Sequence, residues 1–210
     1  AQHDPILRYQ QRAGNHALLY NGEEELKYTR KYLNQPYYRQ TECAPGDLYA
    51  FGRIYKQIDM RIDLYKNQLI VRSPDQRFHI VIPGSGVDSV KLHGHTFIYS
   101  PAGTETGELP PGYYFLLHKG TRCILLGRGW MEPLRQETNN IIRIRFKPTE
   151  RYYFFDGQAW KTISSKSALL SRMQGRQKEM KAFIKKNQLD FRKNKEEALT
   201  ATARYYESLP

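Results

Sequence analysis

Two stretches of the chain hold side chains at spacings that chemistry could use. His93 and His95 flank Gly94. Residues i and i+2 of a strand point the same way, so both imidazoles could reach one metal ion. A third ligand would have to come from His79, His118 or an acidic residue, and the spacing places none of them. An exposed or merely hydrogen-bonded histidine pair is the simpler reading. The second stretch is IIRIRFKP, where Arg143, Arg145 and Lys147 alternate with apolar residues ahead of Tyr152, Tyr153, Phe154 and Phe155. Basic groups beside aromatics are what grooves for single-stranded nucleic acid use. The same aromatics would serve a sugar- or peptide-binding surface, and aromatics beside an Asp-Gly hairpin are commonly core. Arg143, Arg145, Tyr153 and Phe155 are thus the candidate binding residues, and His93 and His95 the candidate metal ligands.

Catalytic groups are harder to find. In FGRIYKQIDMRIDLYKNQLIVR, Asp59, Arg61 and Asp63 occupy the polar slots of an alternating strand. Residues four apart on one strand lie about 13 Å from each other, whereas paired glycosidase carboxylates lie about 5 to 9.5 Å apart. The three charges therefore read as a surface ladder on the wet side of the strand. Cys123 sits in the apolar run CILL, with no basic neighbour beyond Arg122 to favour a thiolate. Cys43 and Cys123 are 80 residues apart and fit no short-spaced zinc or redox motif. They either pair in an oxidising compartment or pack as two buried thiols. Gly84-Ser85-Gly86 and Gly127-Arg128-Gly129 are too short, and too deep in β context, to be phosphate loops. No Gly-x-Ser-x-Gly element occurs, so no catalytic engine is visible and no cofactor is expected.

The elements that must position these residues change character along the chain. Residues 1–47 have weak periodicity: a short helix is expected around Glu23 to Leu33, followed by loop through NQPYYRQTECAPG. From Leu48 to Ile163 apolar and polar residues alternate. Ile58, Met60, Ile62 and Leu64 face the core, Lys66-Asn67 reads as a turn, and Phe78, Ile80 and Ile82 share a face. GYYFLLHKGTRCILLGRG folds at Lys119-Gly120, IIRIRFKP is one strand, and RYYFFDGQAWKTI is a hairpin on Asp156-Gly157. Many short strands with no long helix between them imply antiparallel pairing. Beyond Ile163 the period becomes helical. Ser164-Ser165 cap the first helix, Gly175 stops it, and Met180, Phe183 and Ile184 form the next stripe. Asn194 caps a last helix carrying Leu199, Ala203 and Tyr206. The expectation is a mainly β protein, an antiparallel β-sandwich or open barrel over 48–163, with a short C-terminal helical tail, 164–210, packed on it.

Composition bounds the function. The chain has 210 residues, 40% of them hydrophobic and 26% charged, enough for one well-buried domain with an appendage. Sixteen Tyr favour half-buried sheet positions. No apolar run approaches the roughly 18 to 20 residues of a membrane-spanning helix, so the chain reads as soluble. The net charge is +12, and from Trp160 onward 12 Lys or Arg stand against five Asp or Glu. About +7 of the charge thus lies on helices, where a basic face is commonly solvation. The chain begins Ala1-Gln2-His3-Asp4, which is compatible with a signal-peptidase cut.

A β-meander containing YKQIDMRIDLYKNQLIV, a late hairpin YYFFDGQAWKTISSKSALL and the ending KAFIKKNQLDFRKNKEEALTATARYYESL follow one another here. In that order they resemble a group of uncharacterised exported proteins of Bacteroidota, with a β-meander core and a Lys-rich helical tail. The likeness covers most of the chain from about Leu19. It departs at Ile62-Asp63-Leu64-Tyr65, where the group has a Tyr-Asp pair. The resemblance implies a place in the periplasm or at the cell surface, and it brings no catalytic residues. The expectation is a non-enzymatic exported binding or assembly module of the cell envelope, with a protein, glycan or peptide ligand. The alternatives are a hydrolase with a site built from dispersed residues, and a nucleic-acid-binding protein using the basic tail and the aromatic strand face.

Overall fold

Alternation from Leu48 onward becomes strand after strand of antiparallel sheet in the computed structural model, which describes residues 17–29, 31–101, 109–173 and 175–209. The strands are β1 Ala44–Ala50, β2 Arg53–Asp63, β3 Gln68–Arg72, β4 His79–Ile82, β5 Val87–Leu92, β6 His95–Ser100, β7 Gly112–Lys119, β8 Ile124–Thr138, β9 Ile141–Phe155 and β10 Trp160–Ile163. They form one sheet in the order β10-β9-β8-β7-β6-β5-β1-β2-β3-β4, which is not closed into a barrel. Helices α1 Lys166–Arg172, α2 Gln177–Lys186 and α3 Lys195–Ser208 follow. The chain divides into two compact units, one of residues 1–99 with 130–149, the other of 100–129 with 150–210.

In the first unit Met60 and Ile62 of β2 pair with Val71 and Leu69 of β3, and all four are buried with Leu48, Val90 and Phe97. That face matches the alternation. The opposite face is not wet. Arg61 is 7% exposed and Asp63 is fully buried, because the segment before β1 lies over them. Among the described residues no helix forms between Glu23 and Leu33. Glu23 to Glu25 lie extended along β4 instead: Val81 N–H donates to Glu23 O at 2.8 Å, and Glu25 N–H to His79 O at 2.8 Å. Gly22 permits this approach, since a Cβ there would stand 2.2 Å from Val81 O. Farther on, Tyr38 N–H donates to Ile62 O and Leu64 N–H to Pro36 O, both at 2.9 Å.

The buried charges are answered by that cover. The Arg61 guanidinium donates to Glu25 Oε2 at 2.5 Å and to Thr41 O at 2.7 Å. It also lies 4.0 Å from the Tyr37 ring centroid. Tyr37 Oη donates to Glu25 Oε1 at 2.6 Å. Asp63 accepts from Tyr28 Oη at 2.7 Å and from the Tyr65 and Lys66 amides at 2.8 Å each, closing the turn after β2. Asp59 pairs with Arg72 at 2.5 Å. The expected ladder of Asp59, Arg61 and Asp63 is therefore three separate engagements, two of them buried. The alternation was right in period, but a second layer covers the polar face.

In the second unit β7 and β8 pair Phe115 with Gly127 and Leu116 with Leu126. A Cβ at Gly127 would stand 2.1 Å from the Phe115 ring, so that crossing needs glycine. Ser165 Oγ accepts from Ala168 N–H and caps α1, as expected. Asn194 makes no side-chain cap; the Asp190 carboxylate takes the Arg192 and Lys193 amides instead. Met180 and Ile184 of α2 and Ala198, Leu199 and Ala203 of α3 are buried. Phe183 stacks on Tyr205 with centroids 4.0 Å apart. Helix α3 packs on β7 and α2, and α1 on β10.

Two outcomes follow from the buried charges. Glu25→Ala leaves Arg61 buried without its carboxylate and is expected to cost about 3–5 kcal/mol, whereas the double change Glu25→Leu with Arg61→Met recovers most of it. Urea denaturation of both variants decides, and equal losses would refute the pairing. Folding raises the Asp63 carboxyl above its ordinary 3.8, burial being the first cause and outweighing its donors. A carboxyl raised by folding favours the protonated folded state. Its contribution is fullest below 3.8 and is lost as pH rises through the folded value. Asp63→Asn keeps an acceptor for both amides and cannot ionise. Its stability relative to wild type should improve as pH rises from about 3.8 toward neutrality; a pH-independent difference would refute the assignment.

Candidate functional site

The longest uncovered stretch of described β-structure is the hairpin of residues 130–149, formed by the second part of β8 and the first part of β9. Asn139 and Asn140 turn it with φ of 50° and 60°, the left-handed pair that a two-residue hairpin loop requires. IIRIRFKP and RYYFF, expected as separate strands, are one 15-residue strand running through Pro148. Pro133 lies inside β8 in the same way. Proline removes a ladder donor, so it is tolerated where a strand has a neighbour on one side only.

One aromatic cluster holds this arm to the first unit. Phe146 is buried. Tyr32 stacks on it with centroids 5.4 Å apart and planes 2° from parallel. Tyr28 meets it edge-on at 5.5 Å and Tyr65 tilted at 5.0 Å. Around the ring the backbone is clamped. Ile144 N–H donates to Lys31 O and Leu33 N–H to Ile144 O, both at 2.8 Å. The Asn34 amide both donates to Phe146 O, at 2.9 Å, and accepts from Phe146 N–H, at 2.7 Å.

Beyond Phe146 the arm is open. Leu134, Ile141 and Ile142 are 44%, 55% and 43% exposed. Arg143, Arg145 and Lys147 are exposed in alternate positions of β9 and make no ion pair with the described residues. Arg135 and Glu137 meet at 3.3 Å, and Glu132 accepts from Trp130 Nε1 at 3.2 Å. A hollow of about 230 Å3 lies among Leu33, Gln136, Asn139, Ile141 and Arg143. Arg143 and Arg145 are thus brought onto one accessible surface. Tyr153 is not: it is 2% exposed, packed edge-on against Tyr114 in the second unit. Phe155 is half-buried against Trp160, centroids 5.1 Å apart. The basic and aromatic parts of β9 do not make the single face that alternation suggested, because the Tyr152–Phe154 stretch is covered on both sides.

The histidine pair also sits differently from expectation. His93, φ 50°, and Gly94, φ 80°, are the turn between β5 and β6, so the two rings are not i and i+2 of a strand. Both rings lie 6.1 Å from Tyr38, and His95 Nδ1 shares a 3.0 Å hydrogen bond with Tyr38 Oη. Among the described residues, three potential metal ligands converge at one place, His118, Cys123 and Glu207. Both cysteines are free thiols. Burial raises Cys43 to about 11 and Cys123 to about 12, the opposite of what a thiolate nucleophile needs.

The apolar tip Leu134, Ile141 and Ile142 was missed in the sequence; the signal available was WMEPL and II flanking Asn-Asn. If Phe146 anchors the arm, Phe146→Ala should cost about 3–5 kcal/mol and speed hydrogen exchange of the Ile144 and Phe146 amides by about 100-fold or more. Unchanged exchange at those amides would refute the anchor. Comparison with protein-family models, with curated proteins and with solved structures finds no match to this chain.

Proposed function

We propose that this protein is a non-enzymatic binding or assembly module, exported to the cell envelope, and that the 130–149 arm is its contact surface. The observation that carries the reading is the open arm: Ile141, Arg143, Arg145 and Lys147 are exposed at alternate positions on one face of β9, and Leu134 and Ile142 are exposed on the same hairpin. Exposed apolar residues rimmed by charge are the pattern of a contact surface, and arginine with aliphatic neighbours suits an acidic partner with an apolar centre. Export rests on the likeness to exported Bacteroidota proteins. No helix among the described residues is long and apolar enough to cross a membrane.

The alternatives have less behind them. A hydrolase needs converging acids, bases or nucleophiles. A hollow of about 1060 Å3 between α1 and the end of α2 is lined by Ser165, Lys181, Lys185, Asp190 and Arg192 and brings together no histidine or carboxylate pair. Nucleic acid would find the basic row, but Tyr153 is buried and cannot stack on a base.

The test uses the full chain in its native host, with a photo-crosslinking residue at Ile141 and a control at the exposed Gln76. The expected result is a discrete protein adduct from position 141 only, lost when Arg143→Glu and Arg145→Glu are combined. Adducts equal at both positions, or unaffected by the charge reversal, would sink the arm as the surface. Retention on single-stranded DNA that falls steeply with salt and disappears in the same double variant would instead establish the nucleic-acid reading.

A further inference from the structure

The second unit carries a polar cluster that neither the sheet nor the arm explains. His118 is at the end of β7, where pairing with β8 is irregular between Leu116 and His118, and such irregularities re-aim a side chain. Cys123 ends the connection to β8, and Gly120 N–H donates to Cys123 O at 2.9 Å across it. Glu207 comes from the last turn of α3. One ligand atom from each of the three lies within 4.8 Å of the other two, and His118 Nε2 stands 3.5 Å from Glu207 Oε2.

Part of this is a clasp between helix and hairpin. Glu207 Oε1 accepts from Thr121 N–H and Thr121 Oγ1 at 2.7 Å each, and the Arg122 amide lies 3.3 Å from Oε1 and 3.2 Å from Oε2. A Cβ at Gly120 would stand 2.1 Å from that carboxylate, so glycine lets the helix end come in. The clasp accounts for Oε1. It does not account for an imidazole nitrogen and a buried thiol gathered at the same carboxylate.

We propose that His118, Cys123 and Glu207 bind one zinc-class divalent cation, with water as the fourth ligand. Sulfur, imidazole nitrogen and carboxylate oxygen are the donors zinc takes in tetrahedral sites. Bond lengths near 2.0 to 2.3 Å put such donors about 3.4–3.6 Å apart, the separation already present between His118 and Glu207. The third donor needs only a small side-chain adjustment to complete the set. Cys123 coordinates through its sulfur and releases its proton to solvent, so thiolate and carboxylate together balance the dication. Thr121 and the Arg122 amide orient the carboxylate from behind, as outer partners do in metal sites. His118 and Glu207 keep 11% and 21% side-chain exposure, which leaves an entry path. Bound metal would fasten the end of α3 to the β7–β8 connection.

The test is a cobalt titration of the reduced, chelator-treated full chain, followed by displacement with zinc. The expected result is one equivalent of Co2+ with a thiolate-to-cobalt charge-transfer band and tetrahedral ligand-field absorption, both removed by zinc. Cys43→Ser should keep the band and Cys123→Ser should abolish it. His118→Gln and Glu207→Gln should each weaken cobalt binding at least ten-fold, which keeps the test decisive if Cys123→Ser does not fold. A folded wild type with no charge-transfer band, a band that survives Cys123→Ser, or unchanged affinity in both other variants would overturn the site.

Discussion

Arg61 lies beneath a second layer on what alternation alone would make the wet face of β2, and a buried guanidinium tolerates few surroundings. Its charge must be met by another charge and its donors by acceptors. Glu25 and Thr41 O take the two terminal nitrogens and the Tyr37 ring covers the guanidinium face, and all three belong to the segment that precedes β1. The segment is thereby held in an extended path over the sheet. Helix formation between Glu23 and Leu33 would withdraw the Glu23 and Glu25 backbone groups from β4, and Glu25 from Arg61. The tertiary demand outweighs any local helical preference, which is worth only tenths of a kcal/mol per residue.

The same path delivers Tyr28, Tyr32 and Asn34 to Phe146. The residues that hold the arm are thus continuous with those that neutralise Arg61, and Tyr28 links them: its ring meets Phe146 edge-on and lies 6.1 Å from Tyr37, while its hydroxyl donates to Asp63. An exposed hairpin is marginal on its own. Here one ring is buried and the neighbouring backbone clamped, which fixes the base of the arm while its tip stays open. Open strand edges invite indiscriminate pairing. Pro133, Pro148 and the basic alternation of Arg143, Arg145 and Lys147 oppose it, so the apolar tip is left to meet a partner through side chains.

Period was legible in the sequence; layering was not. Ile58, Met60 and Ile62 announced one buried face of β2, and Asp156-Gly157 and the serine cap of α1 were readable locally, because each depends on residues close in the chain. Arg61 and Asp63 were read as wet, since their partners lie between 20 and 36 residues away in a segment with no period of its own. The strand placement expected for the histidine pair differs for a local reason: Gly94 marked a turn and not a break within a strand. Tyr153 and Phe155 share alternation with Arg143 and Arg145, but alternation reports a face only while one side of the strand stays uncovered. Where β9 enters the second unit both sides are packed, and the rule loses its meaning.

The two units answer buried or shielded polar groups in different ways. In the first, the anion Glu25 meets an internal cation, Arg61, and the Tyr37 hydroxyl completes its shell. In the second, Glu207 sits at the carboxyl end of α3, where the helix dipole disfavours a negative charge. Burial disfavours it too, yet the carboxyl is held at about 2 by the Thr121 and Arg122 donors and by His118. Those donors are backbone amides, a hydroxyl and an imidazole. A thiol that packing alone would need only as a small hydrophobe lies with His118 at the same carboxylate, one ligand atom of each within 4.8 Å of the others. An internal cation answers the carboxylate of the first cluster, and the second has the complementary form: a carboxylate, an imidazole and a thiol, all donors a cation takes, gathered at one place.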